Sequence, residues 1–373
     1  MSAGGKPDAG PTWRPPLLLS PGGYSISSVS ETGRSEAAIV QRERELQRGR
    51  MRRRQFITLL GGAVTWPLAS SAQQPTRMPR VIRLAPVHIP VQVEGTRNAL
   101  RELGYVEGRN IRLEFLNAAG NVDALPAVAQ EMVRDGGVDA IIAISTPAAL
   151  AAYKATQTIP IVALTAVDPV GSGLADSLAH PGRNVTGVTM FSEETTVKRV
   201  ELMREVFPRA VRLGTVTTRL TSGAQSLSPV LETGRALGFR VEHVDIDEPV
   251  DIAKALSPKI LAGFDVLVFV PDVVLDAHMA DIIKMIGLSK TPAIFASPDW
   301  VTNGGLMSFG PDFSNANHHL ILQLDRVLKG AKASDLPFER PTKFDLRINL
   351  RTAKTLGIEL PPAVVARADT VIE

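Results

Sequence analysis

Residues 140–152 read AIIAISTPAALAA, and the first five, Ala140 to Ile144, are apolar without a break. A strand with one wet face alternates apolar and polar residues. An unbroken apolar run is the pattern of a strand covered on both faces, as in a parallel sheet. Thr146 and Pro147 follow at once. A hydroxyl that can cap a helix, then a proline suited to its first turn, opens an alanine-rich helix. Upstream, residues 81–87 form a largely apolar run with β-branched residues, and 94–103 carry helical spacing up to Gly104. Residues 111–115 read as a strand and 125–133 as a helix. Downstream, 159–164 reads as a strand, 174–178 as a short helix and 184–190 as a strand. This βαβ series predicts an α/β fold with a mostly parallel, doubly wound sheet.

A second series begins after a helix at 195–207. Strands are expected at 211–216, 240–246, 266–270 (VLVFV) and 293–296. Helices are expected between them at 230–237, 252–261 and 275–286. The remainder gives a strand at 306–309, a helix at 316–328, a strand-like stretch at 344–350 and a short helix at 352–356. The chain therefore reads as two α/β lobes of similar size and order, without a strict sequence repeat.

Ligands of open α/β sheets sit beyond the carboxyl ends of the strands, where helix N-termini present free N–H groups. That rule selects His88, Ser145, Thr146, Thr165, Ala166, Val167 and Asp168 in the first lobe. In the second it selects Thr217, Thr218, Pro271, Asp272 and the stretch from Ser297 to Trp300. Each also has a plainer reading. Asp168 before Pro169 suits a turn or a helix cap. Asp272 suits a solvated turn as well as an ammonium partner. Trp300 suits the core as well as a pocket wall, and His88 suits a structural role.

Chemistry beyond binding is hard to find. No G-x-G-x-x-G follows a strand, and no phosphate-cradling G-x-x-x-x-G-K-[ST] is present. No G-x-S-x-G nucleophile elbow occurs. The chain has no Cys, which excludes disulfides, thiolate catalysis and Cys-ligated metals. Its six His (88, 180, 243, 278, 318 and 319) are scattered without metal-ligand spacing. No catalytic residue, metal or cofactor is expected, although an exported α/β enzyme is a remote alternative.

Three landmarks carry a resemblance. They are GYVEGRN at 104–110, DPVGSG at 168–173 with PGRNVTG at 181–187, and a C-terminal pattern. That pattern runs through Leu336-Pro337, Pro341-Thr342-Lys343-Phe344, Asn349-Leu350, Ala353-Lys354 and Leu356-Gly357. Together they resemble the ABC transporter substrate-binding protein family that includes aromatic amino acid binders, over about residues 80–362. The resemblance implies a type I periplasmic-binding-protein fold: two Rossmann-like lobes joined by hinge crossovers, with the ligand in the cleft. Crossings are expected near 191–192, 301–305 and 332–341. Lobe 1 would hold 80–191 plus 302–335, and lobe 2 would hold 192–301 plus 336–373. The implied ligand residues are Ser145, Thr146 and the loop from Thr165 to Asp168, with Phe191 at the first crossing. The family often has an Asn-Pro-type turn after the first strand of lobe 2, where this chain has Thr217 to Ser222, TTRLTS. The implied partners are a small solute, such as an amino acid or other small carboxylate, and an inner-membrane permease with its cytoplasmic ATPase. The protein would act as a monomer in the periplasm and make or break no bond in the solute. A sensing subunit for a membrane receptor is the alternative.

The net charge of +3 and pI near 9.2 invite a search for nucleic acid or an anionic surface. The first 72 residues hold ten Lys+Arg against five Asp+Glu, leaving 31 against 33 for residues 73–373. The basic excess thus belongs to the leader, and no nucleic-acid partner is expected. Residues 51–72, MRRRQFITLLGGAVTWPLASSA, have a charged start, a short apolar run and small residues at Ser70 and Ala72. This is the layout of an export signal cleaved after about Ala72. Arg53-Arg54-Gln55-Phe56-Ile57 also resembles a twin-arginine signal, the alternative being general secretion. The leader is similar to that of many proteobacterial members of the family. Residues 1–50 read as a disordered extension or a mis-assigned start, with translation beginning at Met51. N-terminal sequencing of the precursor should therefore return Met51, and a product beginning at Met1 would overturn that expectation.

Overall fold

The computed structural model describes residues 77–190, 193–218, 224–246 and 251–373. The leader readings, the Phe191 site, the crossing at 191–192 and most of the 217–222 turn lie outside those residues. The compact unit runs from Thr76 to Glu373.

The first sheet is built from β1 (Arg80–Ala85), β2 (Arg112–Asn117), β3 (Ala140–Ile144), β4 (Ile161–Thr165) and β5 (Val185–Thr189). Their order is β2-β1-β3-β4-β5, all parallel. The apolar run of β3 explains why. Ile141 and Ala143 pack into one core cluster, while Ala140, Ile142 and Ile144 pack into another on the opposite face. Helices α2 (Leu125–Arg134) and α3 (Thr146–Ala155) supply Ala129, Met132, Ala148 and Ala152 to the first of these. Helix α1 (Pro90–Glu102) covers the other face with Ala99 and Leu100.

The second sheet follows α4 (Glu193–Val206). Its strands are β6 (Arg212–Thr218), β7 (Arg240–Ile246), β8 (Val266–Phe269), β9 (Ala293–Phe295), β10 (Met307–Gly310), β11 (Asp345–Asn349) and β12 (Thr370–Ile372). The order β12-β11-β10-β9-β8-β6-β7 contains the same winding as the first sheet, read as β7-β6-β8-β9-β10. Only the β10–β11 pair is antiparallel. The echo between lobes is therefore one of topology. Helix α5 (Ala224–Ala236) lies between β6 and β7. The helices α6 (Ile252–Ala255), α7 (Pro258–Leu261), α8 (Val273–Ala277) and α9 (Met279–Ser289) include the cover of the Phe269–Phe295 face, with α10 (Pro298–Thr302).

Several expectations change. The helix expected at 174–178 does not form; the segment is bends and irregular backbone after a turn at 169–173. The Asp168 carboxylate accepts from the Val170 and Gly171 amides at 3.1 and 3.0 Å, which locks a turn in place of a helix start. The single helix expected at 252–261 is divided by Pro258, which starts a new helix. That expected at 275–286 breaks at His278. The lobe boundaries move as well. Residues 307–310 were assigned to lobe 1, but β10 lies between β9 and β11 of the second sheet. The crossing therefore follows Gly310, and α11 (Phe313–Leu328) returns to the first lobe through Ala316, Leu320 and Leu324. Residues 336–339, expected in lobe 2, differ too. Instead Phe338 packs in the first-lobe core, and Glu339 exchanges backbone hydrogen bonds of 2.9 Å with Gly187 and Thr189. Sheet pairing decides both boundaries, and loop composition does not report it. Helices α12 (Leu350–Leu356) and α13 (Pro362–Val365) complete the second core.

Gly187 is a point of close approach. It sits in β5 with φ of 144°, and a methyl group there would run into the backbone nitrogen and oxygen of Ala163. Gly187→Ala should cost roughly 2–4 kcal/mol of stability, from backbone strain plus the clash. Urea unfolding with an unchanged midpoint would refute this.

Candidate functional site

The carboxyl ends of β3 and β4 face those of β8 and β9 across a cavity of about 470 Å³. That volume is in the ordinary range for a small-molecule site. Its first-lobe wall includes Gln92, Ser145, Thr146, Thr165, Ala166 and Met190. Its second-lobe wall includes Phe269, Asp272, Asp276, Ser297, Asp299 and Trp300, and Phe313 lies beyond the β10 crossing. Most of the wall is apolar. No Lys, Arg or His lines it among the described residues.

The first-lobe side is a turn under tension. Ser145 caps α3, its Oγ accepting from the Ala148 amide at 3.3 Å, with φ of 101°. That backbone region suits glycine, and non-glycine residues held there tend to cluster at ligand sites. Thr146 Oγ1 accepts from the Ala166 and Val167 amides at 3.3 and 3.2 Å. With both lone pairs engaged, this hydroxyl has only its proton to offer elsewhere. Thr165 is buried, and its Oγ1 has no hydrogen-bond partner.

The second-lobe side combines aromatic rings with acids. Trp300 stacks on Phe295 with centroids 4.4 Å apart, and Phe269 lies 4.9 Å from Phe295 and 5.6 Å from Trp300. Trp300 is only 3% exposed, so it belongs both to the core and to the cavity wall. Its Nε1 donates to Asp276 Oδ1 at 2.8 Å. Asp276 retains some exposure toward the cleft, yet dense packing dominates its environment. Burial pushes its carboxyl from 3.8 up to about 7, and the charges of Asp272 and Asp299 add to that against the opposing Trp300 bond. Asp272 is a cap: Oδ1 accepts from the Val274 and Leu275 amides at 2.9 and 3.2 Å. Its Oδ2 accepts from the Thr218 hydroxyl at 2.6 Å and the Thr218 amide at 3.3 Å.

The cavity thus brings together Ser145, Thr146, Thr165, Ala166, Asp272, Ser297 and Trp300 from the sequence-based set. Three others are elsewhere. His88 is exposed and away from the wall. Asp168 serves its own turn. Thr217 points toward β7, where its Oγ1 meets His243 Nε2 at 2.9 Å and Asp245 Oδ1 at 3.4 Å. Strand alternation explains that miss: Thr218, one residue on, turns toward Asp272. Gln92, Asp276 and Phe313 escaped the strand-end rule because they sit on helix turns, beyond the loops the rule selects. Asp276 had one legible signal, its place one helical turn after the cap Asp272.

Comparison with known proteins follows the same outline. Residues 89–372 match the family described as ABC transporter substrate binding protein. The chain belongs to that family. A tyrosine-binding protein of Clostridioides difficile (strain R20291) is 30% identical over 268 residues, which is 71% of this chain and 76% of that one. The structure of an ABC domain in complex with L-Trp from Streptococcus pneumonia is 26% identical. It covers 79% of this chain and 99% of that one, with a TM-score of 0.69. The ligand-free, open structure of a substrate-binding protein with adhesive properties from Clostridium difficile has the same identity and coverage, at 26%, 79% and 99%, but a TM-score of 0.54. The fold is that of the type I periplasmic binding proteins, and the function is that of an ABC transporter substrate-binding protein.

Asp276 gives this substrate-binding protein a pH signature. Between about 4 and about 7 the folded chain holds a proton on Asp276 that the unfolded chain has lost. Stability should therefore fall as pH rises through that window and level off above it. Asp276→Asn stays neutral and should remove this slope. Urea midpoints that fall equally in wild type and D276N between pH about 5 and about 8 would show that Asp276 contributes none of it.

Proposed function

We propose that the solute is an aromatic amino acid or a closely related small aromatic carboxylate, taken up in the cleft by closure of the two lobes. The observation that carries this reading is the second-lobe wall, in which a stacked aromatic group, Phe269 and Trp300 with Phe295 behind, adjoins Asp276 and Asp299. An aromatic side chain suits the rings, and a ligand ammonium suits the acids. The donor-rich turn at Ser145 and Thr146, at the N-terminus of α3, suits a carboxylate across the cleft. The names of two relatives support it: one is a tyrosine-binding protein, and another was solved with L-Trp.

Asp272 is the weaker candidate for the ammonium. Its oxygens already accept from Val274, Leu275 and Thr218, whereas among the described residues Asp276 has a single protein donor in Trp300. A bound ammonium would draw Asp276 into its charged form.

The difference in TM-score between the L-Trp complex and the open, ligand-free relative, 0.69 against 0.54 at equal identity, favours a closed-like arrangement here. A solute touching both lobes stabilises such a form because only the closed form offers it both sets of contacts. Export to the periplasm, with removal of the leader after about Ala72, accords with the leader's layout. Family members of importers work outside the cytoplasmic membrane, and no helix among the described residues is long and apolar enough to cross one. Delivery to a permease driven by an ATPase completes the reading.

A thermal-shift panel tests it. At a concentration about 100-fold above its Kd, a ligand adds about 2.7 kcal/mol, or a rise in Tm of roughly 5 °C for a chain of this size. L-Tyrosine, L-tryptophan or L-phenylalanine should give that rise. Mass spectrometry of solute released from denatured protein should find the same compound. A panel in which only sugars or branched-chain amino acids shift Tm would sink the proposal.

A further inference from the structure

Arg83 stands in the middle of β1, paired in register with Phe115 on β2 and Ile142 on β3. It is 2% exposed. Such a position ordinarily holds an apolar residue, and a guanidinium there is costly unless paired. Yet Arg83 forms no salt bridge with any carboxylate among the described residues, and its Nε has no hydrogen-bond partner. Burial alone lowers its pKa, to about 10, so it remains charged at neutral pH. Its one side-chain hydrogen bond among the described residues leads to the cleft: Nη2 donates to Oε1 of Gln92 at 3.4 Å. Gln92 lies on the first turn of α1 and lines the cavity.

The chemistry of this pair is directional. A guanidinium only donates, so the Gln92 amide must turn its oxygen toward Arg83. Its NH2 group is then the end left for the cleft. We propose that Arg83 is a positioning residue for solute selection: it orients Gln92 to donate to a solute carboxylate and supplies from behind it the positive charge that the cavity wall lacks. This rests on the reading of the solute as a small carboxylate and goes beyond it by naming what selects the acid group. It also accounts for retention of an uncompensated charge in the first-lobe core, because the counter-charge arrives with the solute.

Calorimetry with L-tyrosine and tyramine, which keeps the ring and ammonium but has no carboxylate, tests the inference. Wild type should prefer L-tyrosine. In Arg83→Met the affinity for L-tyrosine should fall about tenfold, the scale of one charged hydrogen bond, while that for tyramine stays within about twofold. Arg83→Lys should restore part of the preference. Should R83M fail to fold, Gln92→Ala, on a half-exposed helix turn, carries the test: its preference should fall similarly while its Tm without ligand stays near that of wild type. Equal losses for both ligands, or an unchanged preference in folded R83M or in Q92A, overturn the inference. If wild type binds neither compound, a panel of small carboxylates paired with their carboxamides replaces them. A non-aromatic acid preferred over its amide would refute the aromatic reading alone, and Arg83 is then judged on that pair. A best ligand without a carboxylate overturns both.

Discussion

Burial of parallel strands on both faces is the constraint on which everything else in this protein depends. A strand such as AIIAI has no wet side, so helices must cover the sheet above and below. Parallel neighbours cannot be joined by tight hairpins, so each connection must run back across the sheet. Consequently the carboxyl ends of β1, β3, β4 and β5 open on one edge. Loops and helix N-termini gather there because the backbone has nowhere else to present them. The second sheet repeats this winding, and the cavity lies where the two edges meet.

The cleft then inherits its chemistry from limited access to water. Asp276 is held toward its neutral form chiefly by burial, and Trp300, itself stacked on Phe295, donates a hydrogen bond to it. Asp272, more fully buried, accepts from the Val274 and Leu275 amides and from the Thr218 hydroxyl and amide, and ties the end of β6 to α8. Two aspartates four residues apart thus have different duties, set by how many donors each already holds. Near the hinge, the buried Arg199 of α4 donates to the Phe309 carbonyl at 3.0 Å and to Thr196 at 2.8 Å. This bond links the helix after the first crossing to the strand before the second. The third crossing is fixed on the first-lobe side, where Glu339 meets His319 at 2.7 Å and Gln323 at 2.6 Å.

Reading the sequence took the architecture a long way, for reasons specific to its elements. Continuous apolar runs at 140–144 and 266–270 announce buried strands because they are short, rich in β-branched residues and followed at once by turn or cap residues. The Ser-Thr-Pro start of α3 announces both a helix and a donor-rich end. The excess of basic residues lies in residues 1–72, and residues 73–373 are near neutrality. Errors arose where short-range signals compete. Residues 174–178 have helical composition, but Asp168 and the glycines around it satisfy the backbone as turns.

The sequence by itself determined that two doubly wound α/β units would form and which strand ends would carry polar loops, because periodicity and caps are local properties. Only the tertiary structure decided which sheet β10 joins, since strand pairing is a contact between residues distant in the chain. It alone decided that Thr217 faces away while Thr218 faces Asp272, a matter of one step in alternation. It alone set Arg83, without a carboxylate, behind Gln92 and brought Asp276 beside Trp300 on the cavity wall. An arginine in a strand reads as exposed until the helices that bury it are in place.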